Sequence, residues 1–195
     1  MEHNITLKRL FDIILSLCSM VLFAIPVGII WIAVLCSGGK TIYRQVRVGY
    51  RGRLFTLYKF RTMTQEAEET KRPQLCVEED ERTTRVGRFL RAHHLDEFPQ
   101  LWNILRGDMS FVGPRPEQPY FVEQIIAQRP DYVRLYALRP GIFSMATLYN
   151  GYTYNMEKMI RRLDMDLDYL EHRSLWLDIK IIWLTATSIL TGKKF

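Results

Sequence analysis

A nearly continuous apolar segment, from Leu10 to Cys36, constrains the fold of this chain more than any other feature. A helix crosses a bilayer core with about 20 consecutive apolar residues, and this segment is long enough to do so. A cleaved signal peptide fits poorly, because the run is too long and no clear small-residue cleavage site follows it. Pro26 lies inside the segment, where it removes a backbone donor and favours a break. The sequence therefore predicts a membrane helix that is broken at Pro26.

Basic residues flank this segment on both sides. Lys8 and Arg9 precede it, and the chain between Asp12 and Glu66 has seven lysines and arginines from Lys40 to Arg61 but no acidic residue. Positive charge marks the cytoplasmic flank of a membrane segment, and bases beside such a segment favour anionic lipid headgroups over nucleic acid. An ordinary kinked span places one flank in the cytoplasm, whereas a re-entrant helix places both there. The flanks alone leave both topologies open.

The remaining sequence predicts a mainly helical domain with one small β-hairpin, an α+β fold. Strand-like alternation, turn residues and helical periodicity define the elements. They are strands at 41–46 and 54–60, a polar loop at 65–83, and helices at 86–93, 98–105, 119–138 with a break near Pro130, 156–171 and 174–190. The last helix carries Trp176 and Trp183 on one face, which favours an interfacial position at the membrane. We divide the chain into a membrane segment, 1–38, and a membrane-associated cytoplasmic domain, 39–195.

Adjacent carboxylates, Asp96 and Glu97, stand at the predicted start of the second of these helices. Asp96 fits an N-cap position, and an isolated pair of this kind is usually only a helix cap. A helix N-terminus also binds phosphate, and an ionised carboxylate can attack phosphorus without a general base. Cations must offset the charge repulsion, and four separate segments offer candidates for binding phosphate or nucleotide: Lys59, Arg91, Arg115 and Arg139. The set predicts phosphate-ester chemistry, with a Mg²⁺ ion bound by Asp96, Glu97 and phosphate oxygens.

Histidine and cysteine offer weaker signals. His93 and His94 precede the acidic pair and suggest a rival metal site, but adjacent helical residues project about 100° apart and cannot easily share one ion. The three cysteines form no metal spacing or disulfide framework, which favours a reducing cytoplasmic setting.

These motifs together resemble those of the small monotopic phosphoglycosyl transferases, the bacterial sugar transferase family. The resemblance extends over essentially the whole chain. The matching motifs are Lys8-Arg9-Leu10-Phe11-Asp12, Tyr58-Lys59-Phe60-Arg61-Thr62-Met63, Leu95-Asp96-Glu97 with Gln100-Leu101-Trp102-Asn103, residues 107–116, Arg139-Pro140-Gly141 and Leu177-Asp178-Ile179-Lys180-Ile181. Asp166 resembles a family aspartate before the last helices.

The resemblance implies an enzyme on the cytoplasmic face of the bacterial inner membrane. It would transfer a sugar-1-phosphate from a UDP-sugar to polyprenyl (undecaprenyl) phosphate and release UMP, as the first membrane step of capsule, O-antigen or exopolysaccharide synthesis. Asp96 would be the nucleophile of a covalent aspartyl-phosphosugar intermediate, Mg²⁺ would be required, and the helix broken at Pro26 would be re-entrant. The expected partners are the UDP-sugar, the polyprenyl phosphate, membrane lipids and a possible second copy in a homodimer, but no nucleic acid.

Two segments depart from the family pattern. Ile25-Pro26 stands where Ser-Pro is usual, and residues 142–151 differ from the common continuation after Arg-Pro-Gly, so the sequence does not identify the sugar. The competing function is a non-catalytic, membrane-anchored adaptor, which explains the basic flank and the amphipathic tail but not the acidic pair. A phosphodiesterase that uses metal and water would need a metal cluster that the sequence lacks.

Overall fold

The computed structural model describes residues 2–64, 81–151, 153 and 155–191. In this part of the chain, helices predominate and four short strands form two separate two-stranded sheets. The helices are α1 (Glu2–Leu22), α2 (Ala24–Cys36), α3 (Arg85–Ala92), α4 (Gln100–Arg106), α5 (Pro119–Gln128), α6 (Met145–Asn150), α7 (Met156–His172) and α8 (Leu175–Leu190). The strands are β1 (Ile42–Val48), β2 (Leu54–Phe60), β3 (Ser110–Val112) and β4 (Gly141–Phe143). The predicted α+β class, mainly helical with a small hairpin, is confirmed. Most of the loop predicted at 65–83 lies outside the described residues.

The apolar segment forms two helices, α1 and α2, which are bent by 67° about Phe23. Within the described residues no single helix is both long and apolar enough to cross a membrane, although this bent pair meets the requirement together. The sequence predicted a break at Pro26, but the break lies three residues earlier, at Phe23. A proline ring clashes with the carbonyl four residues earlier, here that of Leu22, so the bend falls in the preceding turn.

The first limb of the bent pair is fixed to the domain near its outer end. Lys8 Nζ forms a 2.5 Å ion pair with Asp178 of α8. The guanidinium of Arg9 donates to the carbonyls of Ile104 and Leu105 at 2.6 and 2.9 Å, which satisfies backbone acceptors at the C-terminal end of α4. These contacts bind α1 to two other helices of the domain.

Asp12 is buried where α1 crosses β3. Its carboxylate accepts hydrogen bonds from the Ser110 hydroxyl at 3.1 Å and from the Phe111 amide at 3.0 Å. Lys8 and Arg9 stand within about one helical turn of Asp12 and act on its charge electrostatically. The hydrogen bonds of Asp12 come from β3, because both basic side chains bond other segments.

The second limb is fixed by Arg61, which is 2% exposed and therefore effectively buried. Its guanidinium donates to the Val34 carbonyl at 3.0 Å and to the Ser37 hydroxyl at 2.7 Å. It also donates to the carbonyls of Lys40 and Met63 at 2.8 and 3.1 Å. The outer ends of α1 and α2 are thus both attached to the same domain.

The predicted hairpin is confirmed, with β1 and β2 antiparallel from Ile42 opposite Phe60 to Val48 opposite Leu54. Alternate side chains point to opposite faces of a strand. Phe60 therefore packs with the second limb, in a core cluster with Ile30 and Val34, while Lys59 points the other way. Asn103 of α4 is fully buried and bonds the Tyr58 amide and the Thr56 carbonyl at 3.2 and 2.7 Å, which fixes α4 against β2.

Strands β3 and β4 form a parallel pair that the sequence did not predict. The pair is possible because two glycines meet beside it. A side chain at Gly141 would place its first carbon 2.1 Å from the Gly113 amide nitrogen, and one at Gly113 would lie 2.3 Å from the Arg139 carbonyl. This close approach joins the Gly-Pro-Arg-Pro turn at 113–116 to the Arg-Pro-Gly turn at 139–141.

Candidate active site

Asp96 and Glu97 lie in a single 3-10 turn, Leu95–Glu97, between α3 and α4. His94 enters this turn in a left-handed conformation, with a φ of 54°. The predicted N-cap role of Asp96 is wrong, since α4 begins at Gln100 after Pro99 and has no side-chain cap. His94 separates the acidic pair from α3, and Phe98 and Pro99 separate it from α4. The carboxylates are consequently available to side chains from other elements.

Lys59 reaches both carboxylates from the end of β2. Its Nζ lies 2.6 Å from Glu97 Oε1 and 3.5 Å from Asp96 Oδ2. Arg115 places Nη2 3.1 Å from the same Glu97 oxygen. Both acidic residues are 7% exposed. Glu97 is therefore held between two cations, whereas Asp96 has the looser of the two contacts with Lys59.

The environment shifts the pKa values of the pair in opposite directions. Burial raises the pKa of Asp96 above its usual value, and Lys59 acts against this rise. Burial alone would also raise the pKa of Glu97, but Lys59 and Arg115 hold it well below its usual range. Glu97 is therefore a fixed anion, and the ionisation of Asp96 depends on the neighbouring cations.

A cluster of buried polar side chains, formed by Asp166, Arg162 and Glu117, adjoins the backbone of Arg115. Asp166 of α7 accepts a hydrogen bond from the Arg115 backbone amide, and burial raises the pKa of Asp166 to about 7. Arg162, one turn earlier, forms an ion pair with Glu117 and donates to the Thr153 hydroxyl at 3.1 Å. The sequence matched Asp166 only to a family aspartate and gave no role to Arg162. Their spacing of four on the buried face of α7 was the available signal.

The four predicted phosphate-binding cations separate into two groups. Lys59 and Arg115 contact the pair directly, and Arg91 acts on Asp96 electrostatically while it donates to the Thr83 hydroxyl at 3.3 Å. Arg139 is directed elsewhere. Its Nε donates to the Gly107 carbonyl at 2.9 Å, and its guanidinium lies 5.0 Å from the centre of the Tyr50 ring. Among the described contacts, Arg139 has none with Asp96 or Glu97.

The donor set fits magnesium in the manner of a phosphate-transfer site. Mg²⁺ is commonly bound by one or two protein carboxylates together with substrate phosphates. Asp96 and Glu97 can supply the carboxylates. The described part of the chain has no cluster of three or more histidine, cysteine, aspartate or glutamate side chains, as a metal site built from protein ligands alone would need. His93 is exposed, and its ring bonds the Phe89 carbonyl at 2.9 Å.

An apolar cavity of about 310 Å³ lies in the bend of the α1–α2 pair. Phe98 and Pro99, which directly follow the acidic pair, form part of its wall, and Arg44 is its one charged lining residue among those described. Phe23, at the bend, packs on Phe98 with ring centres 5.2 Å apart. The break in the apolar segment is thus in direct contact with the segment that carries Asp96 and Glu97. We call this space the elbow cavity.

The profile of the family described as bacterial sugar transferase matches residues 3–192, nearly the whole chain. The chain belongs to the bacterial sugar transferase family. The motifs that mark the resemblance include the acidic pair, Lys59 and Arg115, and they also include Lys8 and Arg9, which fix α1.

Individual relatives of this sugar transferase are similarly close. One relative is the UDP-N-acetylgalactosamine-undecaprenyl-phosphate N-acetylgalactosaminephosphotransferase of Aeromonas hydrophila, to which this chain is 38% identical over 187 residues. The aligned region covers 95% of this chain and 44% of that protein. The chain is 39% identical over 189 residues to the UDP-glucose:undecaprenyl-phosphate glucose-1-phosphate transferase of Caulobacter vibrioides. That alignment covers 94% of this chain and 70% of the Caulobacter protein. An uncharacterized sugar transferase of Bacillus subtilis is 34% identical, over 96% of this chain and 89% of that protein. The chain thus spans less than half of the Aeromonas protein but most of the Bacillus one.

Proposed function

We propose that this bacterial sugar transferase is a phosphoglycosyl transferase that moves a sugar-1-phosphate from a UDP-sugar to undecaprenyl phosphate. The observation that carries the proposal is the buried Asp96 beside a Glu97 that is held by Lys59 and Arg115. A site of this kind combines a nucleophilic carboxylate with the cations that a diphosphate requires. The names of the Aeromonas and Caulobacter relatives supply the substrate classes.

The proposed reaction has two displacements at one phosphorus atom. The Asp96 carboxylate attacks the β-phosphorus of the UDP-sugar, the bond from that phosphorus to the bridging oxygen breaks, and UMP leaves with the bridging oxygen. The product is an acyl phosphate that joins Asp96 to the sugar phosphate. An oxygen of the lipid phosphate then attacks the same phosphorus, and the Asp96 carboxylate is released. The final product is a polyprenyl diphospho-sugar, which starts the assembly of a capsule, O-antigen or exopolysaccharide.

The side chains around the pair have separate roles in this scheme. Lys59 favours the ionised form of Asp96 and, with Arg91 and Arg115, offsets the negative charge of the incoming phosphates. Glu97 positions Lys59 and Arg115 through its single shared oxygen. Mg²⁺, bound by Asp96, Glu97 and phosphate oxygens, would supply further charge neutralisation. Arg139 lies at the other end of α4, so we assign it no contact with the reacting phosphorus.

We also propose that α1 and α2 form a re-entrant hairpin at the cytoplasmic face of the inner membrane. Lys8 and Arg9 attach the start of α1 to the domain, and Arg61 attaches the end of α2 to it. A segment whose two ends bind one domain has both ends on the same side of a bilayer. Exposed apolar side chains on both limbs, such as Ile14, Val21, Ile25 and Ile29, then face lipid.

The elbow cavity provides a path for the lipid acceptor. The isoprenoid tail must remain in the bilayer while its phosphate reaches Asp96. Residues of both apolar limbs line the cavity together with Phe98 and Pro99, which directly follow the acidic pair. Apolar walls suit an isoprenoid chain, since burying hydrocarbon contributes about 25 cal/mol per Å² of surface removed from water.

An Asp96→Asn variant tests the proposed function. It should release no UMP from a UDP-sugar in the presence of Mg²⁺ and undecaprenyl phosphate, because the amide is not a nucleophile. Asp164→Asn, which alters an exposed ion pair with Arg129, is the matched control and should react at the wild-type rate. UMP release by Asp96→Asn at that rate would reject the mechanism. If the wild-type protein released no UMP, the adaptor would be favoured, and continued release without lipid would identify a hydrolase.

A further inference from the structure

A second cavity, also of about 310 Å³, lies away from the acidic pair. It is enclosed by the start of α1, by the Arg-Pro-Gly turn and by the junction of α7 and α8. Its basic lining residues are Lys8, Arg9, Arg139 and Arg173. Arg9 and Arg139 bind the carbonyl end of α4, whereas Asp96 and Glu97 precede its other end. The seven residues of α4 separate the two sites by about 10 Å at 1.5 Å per residue. We call this space the basic cavity.

The acidic residues that line the basic cavity already have partners. Asp12 accepts two hydrogen bonds from β3. Asp178 is held by Lys8 and by the Tyr169 hydroxyl, each at 2.5 Å. Glu171 pairs at 2.9 Å with Arg134, which lies outside the cavity lining. The charges of Asp178 and Glu171 are cancelled by Lys8 and Arg134, but the donors to Asp12 are uncharged and leave its negative charge in place. The cavity therefore retains three arginines against one carboxylate, which is a net positive charge.

These arginines retain hydrogen-bond donors. Arg139 uses Nε for the Gly107 carbonyl, and Arg173 uses Nη1 for the Leu170 carbonyl at 2.7 Å. Within the residues that the structure describes, the two Nη groups of Arg139 and Nη2 of Arg173 have no hydrogen-bond acceptor. Arg9 lies close enough to Arg139 for the two cations to repel each other. An anion with several oxygens would accept from these donors and reduce the repulsion.

The remainder of the cavity is apolar and lies beside side chains that are exposed to the surroundings. Leu138 and Leu175 contribute to its wall together with Leu7, which is 51% exposed. Leu10, one turn along α1, is 53% exposed, and Trp176 of α8 is 76% exposed. A ligand of this cavity therefore combines an anionic group with hydrocarbon that continues along the exposed apolar surface.

We propose that the basic cavity binds the phosphodiester headgroup of an anionic phospholipid, as a site separate from the one that binds the substrates. Basic pockets at the cytoplasmic ends of membrane helices suit such headgroups. The bound lipid would bridge α1, the Arg-Pro-Gly turn and the α7–α8 junction. Binding of this lipid involves no chemical step, so it is independent of the proposed transfer reaction.

The test is a binding measurement with a soluble short-chain lipid. The full chain, purified in a nonionic detergent, is titrated calorimetrically with dihexanoyl-phosphatidylglycerol below its micelle-forming concentration. Dihexanoyl-phosphatidylcholine, whose headgroup has no net charge, is the comparison ligand. We expect the anionic lipid to bind about tenfold more tightly, because both lipids present a phosphodiester but only phosphatidylcholine carries a cation that the arginines of the cavity repel. Equal affinity for the two lipids would overturn the proposal.

Two variants locate the site, and one controls for charge. Arg173→Gln should weaken binding of the anionic lipid about tenfold. Ser174→Asp keeps an N-cap residue for α8 but adds negative charge to the lining, and it should weaken binding as well. Arg161→Gln removes the same charge from an exposed position on α7 outside the cavity lining and should bind like the wild type. If the two cavity variants both matched Arg161→Gln, the lipid would bind elsewhere and the proposal would be wrong.

Soluble phosphates distinguish the source of the anion. Inorganic phosphate and UMP, added in turn, should not displace the anionic lipid at equal concentration, since they lack its hydrocarbon. Displacement by either one would assign the cavity to a soluble phosphate ligand instead. Asp96→Asn should bind the lipid normally, so failure of this inference is separable from failure of the proposed transfer reaction.

Discussion

At the scale of single residues, Lys59 determines the electrostatics of the acidic pair. It contacts both carboxylates, and it is the chief cation that opposes the burial-induced rise in the pKa of Asp96. Its position follows from strand alternation, which turns it away from Phe60 and the apolar cluster on the opposite face of the hairpin. A carboxylate nucleophile must be ionised to react, so Lys59 links the local fold to the proposed chemistry.

Lys59→Met should therefore change the pH dependence of UMP release as well as its rate. Without the cation, the pKa of Asp96 rises further, and a smaller fraction of the carboxylate is ionised at a given pH. The acidic limb of the pH–rate profile should therefore move to higher pH. Lys180→Met, at an exposed position on α8, is the control. A slower variant with an unmoved acidic limb would show that Lys59 acts only on the substrate.

Asp166 should make the stability of the folded protein decrease as pH rises toward neutrality. Its pKa of about 7 in the folded state lies above the ordinary value of 3.8, so the folded state binds the proton more tightly than the unfolded state does. This contribution to stability is complete below the unfolded pKa and is lost as pH rises toward about 7. The loss amounts to at most about 1.4 kcal/mol per pH unit.

Asp166→Asn should remove this component of the pH dependence. Thermal unfolding in detergent at pH 5, 6, 7 and 8 measures it, because the wild type should lose stability across that interval more steeply than the variant. Asp164→Asn, exposed on the same helix and paired with an arginine that does not titrate in this interval, serves as the control. Parallel curves for Asp166→Asn and the wild type would contradict the assignment.

At the scale of secondary-structure elements, the bend between α1 and α2 brings the apolar segment into contact with the segment that carries Asp96 and Glu97. Phe23 at the bend contacts Phe98, and Ala24 lines the elbow cavity. Bulk added at Ala24 would obstruct the proposed path of the lipid tail without reaching Lys59, Glu97 or Arg115. The first displacement, which needs only the UDP-sugar, should be unaffected by such a change.

Ala24→Trp should accordingly separate the two half-reactions. Exchange of labelled UMP into the UDP-sugar, measured without lipid, should continue at the wild-type rate. The KM for undecaprenyl phosphate should rise about tenfold, the effect of about 1.4 kcal/mol of lost binding. Ile25→Trp adds the same bulk at a position that is 78% exposed and does not line the cavity, so it should leave both measurements unchanged. Equal loss of exchange and transfer would show that the cavity is not the acceptor path.

At the scale of the whole molecule, the attachment of both limbs to one domain determines the expected topology. The N-terminal residues should lie on the same side of the membrane as the domain. A cysteine at Asn4, in a chain whose three native cysteines are changed to serine, should resist a membrane-impermeant maleimide applied to intact cells. Labelling after cell lysis confirms that the cysteine is reactive. Labelling in intact cells would rule out the re-entrant arrangement.

Pro26→Leu should move the same chain toward a true span. The substitution restores the missing backbone donor and removes the clash with the Leu22 carbonyl, so α1 and α2 can join into one straight helix. The Asn4 cysteine should then become partly accessible from outside. If accessibility did not change, the contacts of Lys8, Arg9 and Asp12 alone would be sufficient to hold the hairpin.

The sequence by itself determined most of the local elements and the types of residue at the site. Proline, glycine and periodic apolar positions define the hairpin, the end of α4 before Gly107 and the break before Pro130, because these signals act on the backbone within a few residues. The acidic pair and its cations were recognised by the chemistry of their side chains. The family was recognised in the same way, from short motifs along the chain.

Only the tertiary structure decided which of these residues meet. The parallel pairing of β3 and β4 joins segments that are distant in sequence, and it depends on the contact between Gly113 and Gly141. The same long-range packing placed Lys59 and Arg115 on Glu97 but turned Arg139 to the opposite end of α4. A local pattern encodes the preferences of its own backbone, whereas the partner of a side chain depends on how distant elements pack. For that reason the sequence predicted the candidate reacting groups, and the fold determined which cations lie beside them.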